Sequence, residues 1–387
     1  MKKLSLLLVL GFVSVFFFSC KKDDANITEP EPTGIISGKV LAQNNRTPIA
    51  HALVFVTTDQ QLYSTYTDVN GDFTLTAAAG ERDLHIQTGN GDKFRTILRV
   101  TINENQTTTL SVPANLNQVA SLAYVPGIYD KIETILRDTL GYNAAMLVPS
   151  SLMTINTLTP YDAIFINCGT QNMNVNPFID TALSNYVSAG GSIYASDYAM
   201  DFLEGQYTFA TSCGTERLYG FIPDSMVCSR RIGTVSTVVN ANIVSPELQA
   251  YLGRSTMNIN YNLTSWERIQ NINNNFWETM ITDPTDGSPL FIRTHQYHQN
   301  TGSLPPVVGQ QDPDHVTLCH TLADGKKLTI TVSTTEAAAH IAHGDNTGMC
   351  NNPNDSGWIY FTTFHNEHNG LINEDMKRIL EYMILNL

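Results

Sequence analysis

The hydrophobic period of this 387-residue chain changes near Gln118, and the change separates two kinds of fold. Residues 34–115 are short runs such as Ile35-Ile36-Ser37-Gly38-Lys39-Val40, Leu53-Val54-Phe55-Val56 and Asp72-Phe73-Thr74-Leu75-Thr76, broken by turn residues. A period of two turns one face of each strand inward and the other toward water, which predicts an all-β sandwich. Within Asp68-Val69-Asn70-Gly71-Asp72-Phe73, Asn70-Gly71 supplies the positive-φ positions of a tight hairpin, and Phe73 opens the next core-facing strand. Asp68, Asn70 and Asp72 alternate as calcium ligands do. However, Gly71 precedes Asp72 and no glutamate closes the loop, so the hairpin reading prevails.

From Gln118 onward strands alternate with helices. Residues 119–125 read as a strand, and Ile128, Ile132, Ile135 and Leu136 mark one face of a helix that Gly141 stops. Ala163-Ile164-Phe165-Ile166 is a near-continuous apolar strand, followed by a helix over residues 178–191 and a strand over 192–197. Such strands, apolar on both faces, predict a parallel sheet with helices on either side. The strand over 358–364 and the helix over 374–386 complete that sheet, leaving residues 205–355 as a long excursion from it.

Charged residues are 15% of the chain and the formal net charge is −14, with no Lys/Arg cluster. That excludes phosphate-backbone binding, so no nucleic-acid partner is expected. At the N-terminus, Lys2 and Lys3 precede the apolar run Leu4 to Phe18, which is shorter than the ~20 residues of a membrane-spanning helix. Ser19-Cys20 and the polar switch to Lys21-Lys22-Asp23-Asp24 resemble a lipobox. The resemblance implies a signal peptide over 1–19, diacylation of Cys20 and a tether over 20–33. The expectation is a bacterial lipoprotein held in the cell envelope by its acyl chains, at the outer membrane. The charged stretch after Cys20 is also similar to surface-display signals of some Gram-negative lipoproteins. Five further cysteines would meet oxidising surroundings. Cys213 with Cys228 and Cys319 with Cys350 are the near-neighbour pairings, which leaves Cys168 over.

Gly38-Lys39-Val40, Pro48, Ala52, Val54 and the Asn70-Gly71 turn make residues 34–115 resemble a carboxypeptidase-regulatory-like, transthyretin-like domain. In residues 118–387 the run Tyr161 to Gly169, the helix ending Ser188-Ala189-Gly190-Gly191, the next strand and Phe364-His365-Asn366-Glu367 resemble the class I glutamine-amidotransferase-like, flavodoxin-type α/β fold. That resemblance makes His365 a base, Glu367 its orienter, and Ser196-Asp197-Tyr198 the strand-to-helix elbow. The family elbow carries a cysteine between glycines, whereas this chain offers Ala195-Ser196-Asp197-Tyr198-Ala199. A Cys-His dyad without its sulfur cannot make the acyl-enzyme. The candidate catalytic residues are therefore His365, Glu367, Asp197, Ser196 and, from a neighbouring strand end, Cys168, none of them committed.

A second constellation spans residues 316–350 inside the excursion: Cys319-His320, a strand, then Ala339-His340-Ile341-Ala342-His343-Gly344-Asp345 and Cys350. A helix would place His340 and His343 on one side. The pattern resembles a small Cys/His motif recurring in secreted bacterial proteins. Three readings stay open: a Cys319–Cys350 disulfide with structural histidines; a zinc site of Cys319, His320, His340, His343 and Cys350; and a disulfide beside a histidine site with Asp345 nearby.

The expectation is a multi-domain lipoprotein: an all-β sandwich, then an α/β parallel-sheet domain carrying a disulfide-bearing insert. It would be a non-catalytic binding or interaction protein for an unknown protein or carbohydrate ligand, with no cofactor. The alternatives are a hydrolase built on His365 and Glu367, and metal capture by the insert.

Overall fold

The computed structural model describes residues 31–59, 61–170, 174–208, 213, 217–232, 237–261, 264–297, 312–350, 357–365, 367–368 and 371–387. The signal, Cys20 and most of the tether lie outside them. Pro32–Leu387 is one compact unit.

The period-two segment forms eight strands: β1 (Thr33–Leu41), β2 (Leu53–Thr57), β3 (Leu62–Tyr66), β4 (Asp72–Ala78), β5 (Gly80–Thr88), β6 (Phe94–Ile102), β7 (Thr107–Thr109) and β8 (Ala114–Asn115). One sheet runs β4-β1-β7 with β8 also on β1, and the other runs β3-β2-β5-β6. Alternation drives the burial: in β4, Phe73, Leu75 and Ala77 are buried and the residues between them exposed.

The Asn70-Gly71 turn differs from expectation. It joins β3 to β4, which belong to different sheets, so it is a corner between sheets and not a hairpin. The Asp68 carboxylate accepts the N–H groups of Asn70 and Asp72 at 2.8 and 2.9 Å, which shapes the turn locally. Gly71 has φ +77°, and a Cβ on it would meet the Val40 carbonyl at 2.4 Å. Its own carbonyl accepts the Val40 N–H, docking the corner onto β1. Turn chemistry fixes the bend; pairing is fixed by what the bend leans on.

The second segment contributes β9 (Leu122–Val125), β10 (Ala145–Met146), β11 (Ala163–Ile166), β12 (Ser192–Ser196), β13 (Val227–Arg231), β14 (Thr237–Ile243), β15 (Thr256–Tyr261) and β16 (Glu267–Ile272). Then follow β17 (Glu278–Thr282), β18 (Pro289–Thr294), β19 (His315–Thr321), β20 (Lys327–Ser333), β21 (Asn346–Thr347) and β22 (Ile359–Thr362). The central sheet has nine strands in the order β10-β9-β11-β12-β22-β18-β17-β14-β15. Its first five are parallel, and β18, β17, β14 and β15 extend it antiparallel. The excursion is thus partly corrected: four of its strands continue the sheet. β18 earns its place by an apolar run, Leu290-Phe291-Ile292, buried like a central strand.

The helices Pro177–Ser188 and Glu374–Leu385 cover the sheet. The first is capped by Asn176, whose side chain accepts the N–H groups of Phe178 and Ile179. The helix expected over 128–140 is shorter, running Ile132–Thr134 and then a π-turn Ile135–Thr139. Ile132, Ile135 and Leu136 are buried as expected, whereas Ile128 precedes the helix and is exposed. Sandwich and sheet share one apolar cluster, in which Phe94 packs on Tyr142 with ring centroids 4.7 Å apart.

Residues 315–347 form a separate three-stranded ladder, β20-β19-β21, with the helix Thr334–Ala342. Leu318, Ile330, Val332 and Ala337 cluster with Leu53, Phe55 and Leu62, so this module sits on the sandwich. Gln87 ties it edge-on, donating to the Thr329 carbonyl at 3.1 Å and accepting the Thr331 N–H at 2.9 Å.

Candidate functional site

β12 ends at Ser196, and Asp197 enters the following turn with φ +44°. A non-glycine residue there stores roughly 1–3 kcal/mol of backbone strain, which the surroundings must hold in place. The strained strand-to-helix elbow is therefore present, with a carboxylate at its apex.

Three of the candidate residues meet at this apex. The ligating atoms of Cys168, Asp197 and His365 lie within 4.8 Å of one another, and all three residues are buried. Cys168 Sγ donates to Asp197 Oδ2 at 3.5 Å, and His365 Nε2 stands 3.9 Å from the same oxygen. The other carboxylate oxygen, Oδ1, accepts the backbone N–H of Glu267 at 2.6 Å. Burial pushes the Asp197 carboxyl well up, and burial followed by the Asp197 charge does the same to the Cys168 thiol. A thiol held protonated is a poor nucleophile.

Ser196 turns elsewhere. Its hydroxyl donates to the buried Asp130 and accepts the Cys168 N–H at 3.0 Å. The side chain of Glu367 lies outside the described residues; its backbone pairs with Ile372. The Tyr198 ring lies under the Arg231 guanidinium at 4.4 Å, and its hydroxyl donates to the Ser265 carbonyl at 2.5 Å.

Sequence reasoning missed what closes the elbow. Glu267 opens β16, which pairs antiparallel with β13, and this pair of strands delivers a buried charge network. Arg217 Nη2 contacts Glu267 Oε2 and Glu204 Oε2, each at 3.2 Å, and donates to the Ser229 carbonyl at 2.7 Å. Arg231 pairs with Glu267 at 2.9 Å and Asp201 at 2.7 Å. Burial raises the Glu204 carboxyl to about 8 and Asp201 to about 6, against the pull of these arginines. The network draws on four separate stretches: Asp201 and Glu204, Arg217, Ser229 and Arg231, and Glu267. Only Glu204 gave a local hint, as a charge following Phe202-Leu203 at a helix end.

The second constellation is assembled differently from a Cys/His zinc set. Cys319 and Cys350 are disulfide-bonded, as are Cys213 and Cys228, while Cys168 is free and buried. Beside the first disulfide, Asp345 Oδ2 bridges His320 Nδ1 at 2.6 Å and His340 Nδ1 at 2.8 Å. Its Oδ1 accepts the Thr321 N–H at 3.3 Å. The ring of His343 lies 5.2 Å from that of His340 and 5.9 Å from that of His320. Burial lowers the His340 pKa, and the neighbouring histidines add to that.

A cleft of about 240 Å³ opens elsewhere, lined in part by Phe276, Glu278, Arg293, His295 and Trp358. The His295 ring lies 4.4 Å from Trp358, and the Arg293 guanidinium 5.1 Å from it. By contrast, Trp266 is buried against Tyr261 at 3.7 Å and presents no face to a ligand.

No family model matches the chain. No curated protein matches it. Among solved structures, a protein named as a GMP synthase component from Thermoplasma acidophilum aligns at TM-score 0.36 and 10% identity, over 69% of this chain and 94% of its own. A ThuA-like protein from Bacteroides uniformis aligns at TM-score 0.33 and 10% identity, over 68% and 89%. A DUF3823 family protein from Parabacteroides merdae aligns at TM-score 0.19 and 18% identity, over 24% of this chain and about half, 49%, of its own.

Proposed function

We propose that this chain is a lipid-anchored protein of the bacterial cell envelope that binds a protein or carbohydrate partner and catalyses no reaction. The observation that carries the reading is the occupied elbow. Asp197 has no exposed surface, one of its oxygens is taken by the Glu267 N–H, and the other is shared with Cys168. A general base works at hydrogen-bond reach, about 2.6–3.2 Å between heavy atoms or through one water, from the group it deprotonates. His365 stands 3.9 Å from Asp197 Oδ2, inside a closed cluster. The charge network behind Glu267 holds this arrangement shut, so the α/β part serves as a scaffold. The cleft beside Trp358 is the surface that suits a ligand, because an aromatic ring in a polar lining that includes Glu278 and His295 fits a sugar or a polar peptide.

The test is turnover and covalent capture. The purified protein, offered glutamine and activated esters, should release neither ammonia nor alcohol above background. An electrophilic glutamine analogue should leave Cys168 unmodified by mass spectrometry. An adduct on Cys168 or Asp197, or saturable hydrolysis lost in His365→Ala, would replace this reading with the hydrolase alternative.

A further inference from the structure

The cluster around Asp345 has a feature that packing alone does not explain. One carboxylate oxygen takes the Nδ1 side of two imidazoles, at 2.6 and 2.8 Å. A neutral imidazole that donates from Nδ1 carries its bare lone pair on Nε2. His340 is 2% exposed, and among the described residues its Nε2 has no hydrogen-bond partner. A buried nitrogen left unpaired costs about 1–3 kcal/mol. A carboxylate holding the far nitrogen of a histidine is also the arrangement that orients metal-bound imidazoles and raises their basicity.

The geometry points to His320, His340 and His343 as a binding site for a transition-metal dication of the zinc type, with Asp345 as the carboxylate that orients two of the imidazoles. His340 and His343 stand one helical turn apart at the end of the Thr334–Ala342 helix, and His320 reaches them from β19. The disulfide takes Cys319 and Cys350 out of the ligand set, so the donors are nitrogens, which suit zinc, copper, nickel or cobalt over calcium or magnesium. His320 and His340 are buried while His343 is exposed, which leaves a side of the site open to water or to a ligand atom from a partner. Three imidazoles with one open position form a reactive or bridging site, in contrast to the closed four-ligand sites of structural zinc. This inference goes beyond the binding reading and does not depend on it.

The experiment uses the purified full-length protein in chelator-free buffer with its disulfides intact, titrated with Co²⁺ and then Zn²⁺. The expected result is about one equivalent of Co²⁺, seen as visible-region absorption that Zn²⁺ abolishes. His343→Ala removes an exposed ring and should leave the fold intact by circular dichroism, yet weaken Co²⁺ binding roughly ten-fold or more. Asp345→Asn should weaken it by about 10–100-fold, as loss of an orienting carboxylate does. The proposal is overturned by a protein that binds no Co²⁺ or Zn²⁺, or by binding that appears only after the disulfides are reduced. It is equally overturned if a folded His343→Ala binds as the parent does, or if binding survives there and disappears in His365→Ala.

Discussion

Replacing Arg217 with methionine tests the idea that a buried charge network holds the elbow shut. Arg217 is nearly inaccessible, and one of its nitrogens, Nη2, lies 3.2 Å from each of two buried carboxylates, Glu204 and Glu267. Methionine keeps most of the volume and removes the charge. Glu267 then retains Arg231 as its cation and the Ser229 hydroxyl as a donor, and the Ser229 carbonyl loses a donor at 2.7 Å. Removing one member of a buried pair costs about 3–5 kcal/mol, because the remaining charge stays desolvated. Urea unfolding at neutral pH should show that loss as a lower midpoint at constant slope. Glu204→Gln is the control. Burial raises Glu204 to about 8, so it already holds a proton at neutral pH, and its neutral isostere should cost under ~1 kcal/mol. The sign of the pH dependence follows. Glu204 binds its proton more tightly folded than unfolded, so its contribution falls as pH rises from its ordinary 4.5 to about 8, then levels off. Asp201 adds a fall of the same sign between 3.8 and about 6. Glu204→Gln should flatten the upper part of this decline. An Arg217→Met protein within ~1 kcal/mol of the parent, or a Glu204→Gln protein as damaged as Arg217→Met, would refute the reasoning.

Three further outcomes are expected. Gly71→Ala should destabilise by more than about 1 kcal/mol in urea unfolding, since it forces a side chain into φ +77° and against the Val40 carbonyl. Glu336→Gln should loosen the 315–347 module, seen as faster hydrogen exchange there than in β5. Burial raises the Glu336 carboxyl, but the His85 hydrogen bond and charge and the Ser333 contacts outweigh it and leave about 2. The parent should therefore lose this docking as pH falls from about 4.5 toward 2, and the variant should not show that step. Cys168, the free cysteine among the described residues, should resist a thiol reagent in the folded protein and react in denaturant, whereas ready native labelling of it would contradict its burial.

The strands of residues 33–102 were legible because their residues alternate, and alternation is a local property. The Asn70-Gly71 bend was legible as a bend. Its partner sheet was not, because Val40 lies outside the turn. Ile128 read as helical by spacing alone, yet the helix begins only at Ile132, after Asp130 accepts the Lys131 N–H. The site divides in the same way. The elbow at Ser196-Asp197-Tyr198 was implied by the resemblance to the amidotransferase-like fold, and the meeting of Cys168, Asp197 and His365 followed from parallel strand ends. The Glu267 N–H that occupies Asp197 comes from 70 residues further on, and Arg217 from a segment with no periodic signal. Cys319, His320, His340, His343 and Asp345 stood out by spacing, but that one oxygen of Asp345 serves two rings is a matter of tertiary geometry.

The docking of the 315–347 module on the sandwich has a consequence for how the chain is made. Leu53, Phe55 and Leu62 belong to the first domain to emerge, while the residues that cover them come much later, with Glu336 lying 251 residues beyond its partner His85. Domains fold in order of synthesis, so while the chain is being made the early sheet waits with an oily patch bare. A nascent chain stalled or truncated before residue 315 carries that sticky surface permanently, and is a natural client for chaperones and proteases.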